Sequence, residues 1–250
     1  MLKLEDKKIL ITGGSRGIGK ACVDMFVRAG ARVVFTYVSD KAAADKIVNK
    51  YSSETRIKAI RTDLGKEPEI KHSVEEAKQF LGGIDVLVNN AGIWKYGRAD
   101  KMSLDDWNET INLNLTGTFL FTREVLPYMK KQRSGKIINI SSTAGQRGEP
   151  FHSHYAASKG AMISFTKSLA AEFGKYNINV NCIAPGWVIT DMTKRALAGS
   201  DLKEVLEGIP IGRVAVPGDI SGAVLFLASE LARHITGEVI NINGGSVLCG

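Results

Sequence analysis

The chain has 250 residues, of which 44% are hydrophobic and 24% are charged, and its formal net charge at pH 7 is +7. This length and composition predict one globular domain over residues 1–250 and exclude a disordered or low-complexity chain. No apolar run approaches the roughly 20 residues of a membrane span, and the charged start MLKLEDKKIL lacks the apolar core of a signal peptide. We therefore expect a cytoplasmic protein without membrane contact.

Neither the basic charge nor the cysteines indicate a specific function. Lysine and arginine are spread along the chain, so a basic solvated surface is favoured over nucleic-acid binding. Cys22, Cys182 and Cys249 are scattered and odd in number, with neither metal-ligand spacing nor a disulfide framework. We expect thiols without a functional role and no metal site.

Short apolar runs alternate with longer amphipathic segments along the whole chain. The predicted strands are residues 7–12, 31–37, 55–60, 84–89, 136–141, 178–184 and 238–243. The predicted helices include residues 17–29, 67–81, 105–133, 154–174 and 217–230. The alternation predicts an α/β protein with a doubly wound parallel sheet of about seven strands, a Rossmann fold. Ligands of such sheets bind at the carboxyl ends of the strands.

The first predicted strand runs directly into the glycine-rich segment TGGSRGIG, residues 12–19. Gly13, Gly17 and Gly19 would let the backbone turn tightly and approach a phosphate closely. The helix that follows offers free N–H groups and the positive end of its dipole to that phosphate. Because the cluster follows a strand and opens a helix, it favours a dinucleotide site over a turn without ligand. Its spacing, Gly-x3-Gly-x-Gly, differs from the generic Gly-x-Gly-x-x-Gly fingerprint.

The end of the second strand bears on the choice of cofactor. NAD sites usually carry an acidic residue on the ribose hydroxyl roughly 20 residues past the glycine loop, and Tyr37 stands in that region. Arg16 in the loop can form charge-assisted hydrogen bonds to a 2′-phosphate, and Ser39 could add a hydroxyl contact. The pattern predicts NADP(H) over NAD(H). Asp40 argues the other way, because a short shift would bring an acid to the ribose, and a surface role for Arg16 is the alternative.

Tyr155 and Lys159 lie four residues apart in the segment YAASK, on one face of a predicted helix. A free tyrosine has a pKa of about 10, and a nearby ammonium should lower that pKa and tune the phenol as a general acid. By itself the pair is common by chance. Here the preceding strand ends at Ser141 and Ser142, and Ser142 could hydrogen-bond a substrate carbonyl beside the phenol.

Other strand ends and loops supply further candidates. LVNNAG, residues 87–92, would line a cofactor, and Asn114 lies in a long helix where its side chain or a freed carbonyl could hold a water. The segment 187–208, which follows the turn IAPG, is predicted to form a small helical lid over the substrate. The alternative is a surface insertion without a gating role.

Four residues are predicted to contact the substrate besides Ser142: Trp94, Tyr96, His154 and Trp187. Packing is the alternative for the aromatic residues in the segment GIWKYG, residues 92–97. His152 and His154 flank the active segment without the further ligands that a metal would need.

Taken together, these motifs resemble the short-chain dehydrogenase/reductase family over essentially the whole chain. The matching segments, in the family's order and spacing, are TGGSRGIG, NNAG, Asn114, Ser142, YAASK, APG and ITGEVININGG. The resemblance implies a catalytic tetrad in which Tyr155 protonates the carbonyl oxygen as hydride arrives from the nicotinamide. Ser142 would orient the carbonyl, and Lys159 would hold the nicotinamide ribose and lower the Tyr155 pKa. Asn114 would position a water that relays protons to Lys159.

The resemblance also implies a set of cofactor contacts. Asp63 would lie near the adenine, Asn90 at the adenosine ribose and Thr190 on the nicotinamide side, with the Ile189 backbone bonding the carboxamide. The residues expected to bind the cofactor are Gly13, Ser15, Arg16, Gly17, Ile18, Gly19, Tyr37, Ser39, Asp63, Leu64, Asn90, Ala91, Gly92, Tyr155, Lys159, Pro185, Gly186, Ile189 and Thr190.

Within the family, the segments NLTGTF, GKIINISS and INVNCIAPGWVITDM are most similar to bacterial 3-oxoacyl-acyl-carrier-protein reductases. That similarity implies NADPH-dependent reduction of 3-oxoacyl thioesters in fatty acid elongation, a homotetramer and an acidic carrier protein as partner. Lys130, Lys131 and Arg133 could form a docking patch, or simply favour the C-terminal end of a helix. Ala171 departs from the pattern, because carrier-protein reductases often have a basic residue there.

Two alternatives stay open. One is a dehydrogenase or carbonyl reductase of sugars, polyols or other small alcohols and ketones, since the core motifs do not choose the substrate. The other is a non-catalytic NADP(H)-binding sensor on the same fold, against which the intact tetrad argues.

Overall fold

A computed structural model describes residues 2–51, 56–198 and 201–248 of the chain. Cys249 lies outside these residues. Seven parallel strands form one sheet in the order β3-β2-β1-β4-β5-β6-β7. Their bounds are β1 Lys8–Ile11, β2 Arg32–Tyr37, β3 Ile57–Arg61, β4 Val86–Asn89, β5 Gly135–Ile140, β6 Ile178–Pro185 and β7 Val239–Ile242. The predicted doubly wound parallel sheet is confirmed.

Helices cover both faces of the sheet. Their bounds are α1 Gly17–Arg28, α2 Lys41–Lys50, α3 Glu67–Leu81, α4 Leu104–Ile111, α5 Gly117–Gln132, α6 Ala144–Arg147, α7 Ser153–Phe173, α8 Asp201–Glu207 and α9 Pro217–Ala228. None of the described helices is long and apolar enough to cross a membrane.

Alternate residues of the central strands point into two separate cores. In β2, Val33 and Phe35 belong to the cluster that contains Phe26 of α1, whereas Val34 belongs to the cluster that contains Phe121 of α5. Strands buried on both faces need apolar residues at successive positions. This requirement explains why they appear in the sequence as continuous apolar runs.

The strand order reverses beside β1, which lies between β2 and β4. Chain connections run from β1 outward to β2 on one side, and from β3 back across to β4 on the other. The carboxyl ends of β1 and β4 therefore border the crevice in which doubly wound sheets bind ligands. The glycine-rich loop and the NNAG segment both begin there.

The helix predicted over residues 105–133 is interrupted. Between α4 and α5, residues Asn112–Thr116 form a π-helical segment with Asn114 at its centre. Such segments often occur at functional sites. The Asn114 carbonyl accepts a hydrogen bond from the Thr118 hydroxyl at 2.8 Å, so part of its bonding comes from a side chain.

The segment 187–208 is less helical than the sequence predicts. Its described part consists of consecutive turns over residues 191–197, followed by the short helix α8. Gly199 and Ser200 lie outside the described residues. Two helices that the sequence analysis did not predict, α2 and α6, complete the fold.

Candidate active site

The glycine-rich loop after β1 has a backbone that side chains would obstruct. Gly13 and Gly17 have φ values of 68° and 54°, in the left-handed region that favours glycine. A Cβ atom on Gly19 would lie 2.1 Å from the Gly13 carbonyl oxygen, and one on Gly14 would lie 2.4 Å from the Phe35 Cβ atom. The loop thus presents bare backbone at the start of α1, a cradle that fits a pyrophosphate. Gly14, which contributes to this packing, was not among the predicted site residues.

The end of β4 holds the glycine loop in place. The Asn90 side-chain amide donates to the carbonyls of Thr12 at 2.9 Å and Gly13 at 3.0 Å. The Thr12 hydroxyl accepts from the backbone N–H groups of Asn90 and Ala91, each at 3.0 Å. Asn90 was predicted to lie at the adenosine ribose. Both hydrogens of its amide bond to carbonyls of the glycine loop, so a ribose contact could use only its side-chain oxygen.

Asp40, the acidic residue that argued against NADP(H), has a structural role just after β2. The Asp40 carboxylate accepts the Ala43 N–H at 2.8 Å and caps the N-terminus of α2. Tyr37 is buried at the end of β2, whereas Arg16 and Ser39 are exposed. Arg16 forms no ion pair within the described parts of the chain. Arg16 is therefore an exposed cation without an acidic partner in the described residues, and Asp40 is used as a helix cap.

The loop after β3 places Asp63 and Leu64 in different environments. An oxygen of the Asp63 carboxylate accepts the Gly65 N–H at 2.9 Å and Lys66 lies 3.6 Å from the same carboxylate. Leu64 is buried in the core beneath Gly117. The Leu64 side chain therefore packs in the core. If Leu64 binds the cofactor, as predicted, it would do so through its backbone.

At the end of β5, two adjacent serines have different tasks. The Ser141 hydroxyl donates to the Lys159 carbonyl at 2.7 Å and ties β5 to α7. The Ser142 hydroxyl accepts the Ala144 N–H at 3.1 Å and lines a cleft together with Tyr155. The structure thus brings Ser142 and Tyr155 together, as predicted from their spacing.

Lys159 lies beneath Tyr155 in a buried environment. Only 4% of Lys159 is exposed, and its ammonium donates to the Ile140 carbonyl at 2.7 Å. The distance from Lys159 Nζ to the Tyr155 ring centroid is 5.8 Å. Burial lowers the Lys159 pKa to about 8, an effect that the nearby Cys182 thiol partly opposes.

The Tyr155 pKa is shifted opposite to the prediction. Burial raises it to about 12, against the lowering effect of a hydrogen bond with Ser142 and with a further rise from the Glu149 carboxylate. Lys159 was expected to lower this pKa. Its ammonium is directed at the Ile140 carbonyl instead, so the desolvation of the phenol dominates. The phenol thus retains its proton at neutral pH.

Asn114 connects the loop after β4 to α7. Its amide nitrogen donates to the Ile93 carbonyl at 2.9 Å and to the Ser158 hydroxyl at 3.2 Å, and its side-chain oxygen accepts the Ile93 N–H at 2.8 Å. A Cβ atom on Gly92 would lie 3.0 Å from that oxygen and 3.5 Å from Lys159 Nζ. Asn114 and Lys159 thus meet at Gly92. Because both amide hydrogens are used, any water at Asn114 would have to bind an oxygen.

The cleft beside Tyr155 has an empty volume of about 450 Å³, which includes open solvent. Its lining residues are Trp94, Ser142, Thr143, Ala144, Arg147, Glu149, Tyr155, Gly186, Trp187, Met192 and Thr193. Trp94 and Trp187, both predicted substrate contacts, face this cleft. Arg147 and Glu149 also line it but were missed, although both lie between the two predicted catalytic residues Ser142 and Tyr155.

Two predicted substrate contacts do not line the cleft. Tyr96 is 69% exposed. His154 is fully buried, and burial lowers the pKa of its imidazole. Because neither side chain is among the residues that line this cleft, substrate contact by Tyr96 and His154 stays a prediction.

The segment after β6 faces the glycine loop. Gly17, Ile189 and Thr190 line a second, larger cleft together with residues of α1. The Thr190 methyl group lies 3.4 Å from where a Gly17 Cβ atom would be. The Ile189 N–H already donates to the Ala215 carbonyl at 2.9 Å, so a carboxamide contact through this backbone would share that N–H or use the carbonyl.

Pro185 and Gly186 close the end of β6. The Thr143 N–H donates to the Pro185 carbonyl at 2.9 Å, and a Cβ atom on Gly186 would lie 2.9 Å from Asn243 Cβ. In the part of the chain that the structure describes, no group of three or more His, Cys, Asp or Glu side chains could hold a metal ion. Cys22 and Cys182 are buried free thiols.

Comparisons with known proteins agree with this architecture. Residues 13–246 match the family described as enoyl-(acyl carrier protein) reductase. The chain is 44% identical to the 3-oxoacyl-[acyl-carrier-protein] reductase FabG of Aquifex aeolicus over 248 residues, which covers 98% of both chains. It is 40% identical to the protein of the same name from Thermotoga maritima over 247 residues, covering 99% of this chain and 100% of the relative.

Solved structures give the same result. A short-chain dehydrogenase/reductase of Brucella melitensis, described as a glucose/ribitol dehydrogenase, superposes with a TM-score of 0.93 at 33% identity, covering 99% of each chain. The structure of gox2181 also gives a TM-score of 0.93, at 30% identity, and covers 98% of this chain and 96% of that one. The match over nearly the whole length and the shared strand topology place this chain in the short-chain dehydrogenase/reductase family.

Proposed function

We propose that the protein reduces a 3-oxoacyl thioester to a 3-hydroxyacyl thioester with NADPH, as a step of fatty acid elongation. The observation that carries this proposal is geometric: the Tyr155 phenol and Ser142 line one cleft, and the buried Lys159 ammonium lies 5.8 Å from the centroid of the Tyr155 ring. The names of the relatives, at about 40% identity over the full length, support the substrate class.

The chain's own residues account for the proton that the reduction needs. A bound reduced nicotinamide would supply the hydride to the carbonyl carbon. Ser142 would donate a hydrogen bond to the carbonyl oxygen, and Tyr155 would transfer its phenolic proton to that oxygen. A phenol whose pKa burial raises to about 12 keeps this proton at neutral pH, as a general acid must before it donates. Lys159, whose pKa burial lowers to about 8, would return a proton to the resulting phenolate.

The glycine loop and the rim beside β2 would hold the cofactor. Backbone N–H groups at the start of α1 suit the pyrophosphate. Arg16 and Ser39 are exposed at the rim where a 2′-phosphate would lie, and Asp40 is engaged as a cap. These contacts support NADPH over NADH.

An acyl carrier protein is the proposed carrier of the substrate. Lys130 and Arg133 lie at the C-terminal end of α5, with Lys130 Nζ 5.0 Å and the Arg133 guanidinium carbon 6.0 Å from the Tyr176 ring centroid. This cluster and the net charge of +7 suit an acidic partner. Stabilisation of the helix end by the same cations is the competing explanation.

We also propose that residues 187–208 form a lid over the substrate. Trp187, Met192 and Thr193 contribute to the cleft beside Tyr155, and Ile189 and Thr190 contribute to the cleft beside the glycine loop. A segment that lines both clefts is positioned to respond to both ligands.

The proposed function is tested by following NADPH consumption with acetoacetyl-CoA. The native protein should turn over this substrate, with NADH giving a lower rate. Tyr155→Phe removes only the acidic hydroxyl and should lower kcat at least about 100-fold, as expected for loss of a general acid. Tyr96→Phe, which removes a phenol outside the cleft, serves as the matched control and should leave the rate unchanged.

Equal rates for the native protein and Tyr155→Phe would contradict the role of the phenol. Absence of thioester turnover combined with oxidation of a polyol would favour the second candidate, a sugar or polyol dehydrogenase. The likeness to the Brucella melitensis glucose/ribitol dehydrogenase and the polar residues Thr143 and Thr193 in the cleft support that candidate. Tight NADPH binding without turnover of any substrate would indicate a sensor.

A further inference from the structure

Two loops that are distant in sequence are joined beside the cleft. Residues 94–97 follow β4, and residues 149–152 precede α7; we call these two segments the aromatic clasp. Gly97 and His152 form a parallel β-bridge, and the Gly97 N–H donates to the Phe151 carbonyl at 2.7 Å. The Trp94 ring stacks on His152 with centroids 4.3 Å apart and planes 6° apart.

The clasp contains a strained residue. Phe151 has a φ of 63°, a left-handed conformation that is unusual and strained for a bulky side chain. Its ring stacks on Tyr96 at 5.6 Å, with planes 19° apart, and its carbonyl bonds to Gly97. These contacts hold the strained backbone in place. Strain retained beside an active site indicates that the geometry of the loop is needed there.

The inner side of the clasp fixes the orientation of Trp94. The indole N–H donates to a Glu149 carboxylate oxygen at 3.2 Å, while the His152 ring covers one face of the indole. His152 is itself held by its Nδ1 atom, 3.0 Å from the Pro150 carbonyl. Trp187 meets the indole edge-on with centroids 6.0 Å apart. Trp94 is thus held from three directions and cannot rotate out of the cleft without breaking these contacts.

The two sides of the cleft differ in character. Trp94 and Trp187 form an apolar wall that is anchored by the clasp, whereas Met192, which is 44% exposed, borders the solvent. An apolar acyl tail would lie against the tryptophans, and the polar arm of a thioester would leave past Met192. An acyl tail on that side would meet an indole whose orientation is fixed by its contacts with Glu149, His152 and Trp187.

We infer that the aromatic clasp restricts the enzyme to short acyl chains, with Trp94 as the specificity-determining residue and Glu149 as a positioning residue that locks it. This inference rests on the proposed function, because it concerns the acyl part of a 3-oxoacyl thioester. It assigns a substrate preference to residues outside the tetrad.

The test compares kcat/KM for acetoacetyl-CoA, 3-oxohexanoyl-CoA and 3-oxodecanoyl-CoA. In the native protein kcat/KM should fall at least tenfold from the shortest to the longest chain. Trp94→Ala should raise the ratio of the longest to the shortest at least tenfold, within the range that pocket contacts of this size contribute. Trp107→Ala removes an indole that does not line the cleft, and it should leave the ratio unchanged.

Variants of Glu149 separate positioning from charge. Glu149→Gln keeps an acceptor for the Trp94 indole and should retain the native chain-length profile, whereas Glu149→Ala releases the indole and should shift the profile toward that of Trp94→Ala. Trp94→Phe should give an intermediate profile, and it keeps the test decisive if Trp94→Ala fails to fold.

Two outcomes would overturn the inference, and they are distinguishable. If the native protein reduces acetoacetyl-CoA and both Trp94 variants keep its chain-length profile, the clasp does not set chain length, while the proposed function stands. If the native protein reduces none of the three thioesters, the proposed function fails and the inference fails with it.

Discussion

Lys159 is a buried cation whose nearest hydrogen-bond partner is a neutral carbonyl, that of Ile140. Its pKa falls from the usual 10.5 to about 8 because burial disfavours the charged form. Such a group costs stability while it is charged, here on the order of 3 kcal/mol at most. The residue therefore contributes to the site at the expense of the fold, as active-site residues often do.

We predict that Lys159→Met stabilises the protein and abolishes reductase activity. The methionine fills a similar volume without a buried charge, and it should raise the free energy of unfolding by about 1–2 kcal/mol at pH 7, after the loss of the bond to Ile140. Chemical denaturation monitored by circular dichroism measures this difference. Lys46→Met, a replacement on the exposed face of α2, should change neither stability nor activity.

The pH dependence gives this prediction a second readout. Between pH 8 and 10.5 the unfolded chain binds more protons at Lys159 than the folded chain does, because the folded pKa is the lower one. Native stability therefore rises through this window as the cost of the buried charge disappears. The advantage of Lys159→Met should shrink from pH 8 to pH 10.5, and an advantage that stays constant with pH would contradict this explanation.

At the residue scale, the sequence predicted which groups meet but not how they are oriented. Tyr155 and Lys159 share a helix face by their spacing, and Ser142 ends a strand whose neighbours end at the same edge. The shift of the Tyr155 pKa was predicted with the wrong sign, because that sign depends on where the ammonium points and how much water reaches the phenol. The roles of Asn90 and Asp40 as tethers and caps were missed for the same reason.

At the scale of elements, apolar periodicity identified the seven strands, and every predicted strand end lies within two residues of the observed one. It could not reveal the π-helical segment Asn112–Thr116, because the apolar pattern continues through it. Within that segment, Asn114 bonds to the backbone of Ile93, which is 21 residues away in the chain and therefore outside any local pattern. Helix α2 was missed because its apolar face consists mainly of small alanines.

Two glycines with equal free space but different backbones should respond oppositely to substitution. Gly174, at the end of α7, has a φ of −54° and a ψ of −37°, and a Cβ atom there would meet nothing within 4 Å. Gly174→Ala should raise the free energy of unfolding by about 0.5–1 kcal/mol, because it reduces the entropy of the unfolded chain. Denaturant titration at constant pH measures this change.

Gly212 is the matched comparison, because it also has nothing within 4 Å but has a φ of 74°. Gly212→Ala should lower the free energy of unfolding by about 1 kcal/mol, since an alanine is strained in that conformation. Equal effects of the two substitutions would show that the backbone angles at these sites do not control the response.

For the whole molecule, the parallel sheet and its switch point followed from the alternation of strands and helices. The aromatic clasp did not, because it joins residues 94–97 to residues 149–152 through stacking and a strained Phe151. No local pattern encodes a contact between loops more than 50 residues apart. Tyr96 and His154 lie in or beside these loops, and neither lines the cleft beside Tyr155.

We propose that the protein is a homotetramer in which α5 and α7 form one of the contacts between subunits. Phe119 of α5 is 43% exposed and meets Phe165 of α7 edge-on, with centroids 6.4 Å apart. Aromatic residues shared between two long helices suit the core of an interface between copies of the chain. Burial of Phe119 there would give its exposed ring an apolar environment.

Phe119→Asp should therefore reduce the native assembly to a smaller species, because a carboxylate at the centre of an apolar contact is costly to bury. Size-exclusion chromatography with light scattering measures the mass of each species. Leu231→Asp introduces the same charge at a residue that is 64% exposed, in the short helix after α9, and it should leave the mass unchanged. If Phe119→Asp keeps the native mass while Leu231→Asp reduces it, the contact lies near the end of α9 instead. If the native protein itself has the mass of a single chain, the ring is exposed in solution and the tetramer is excluded.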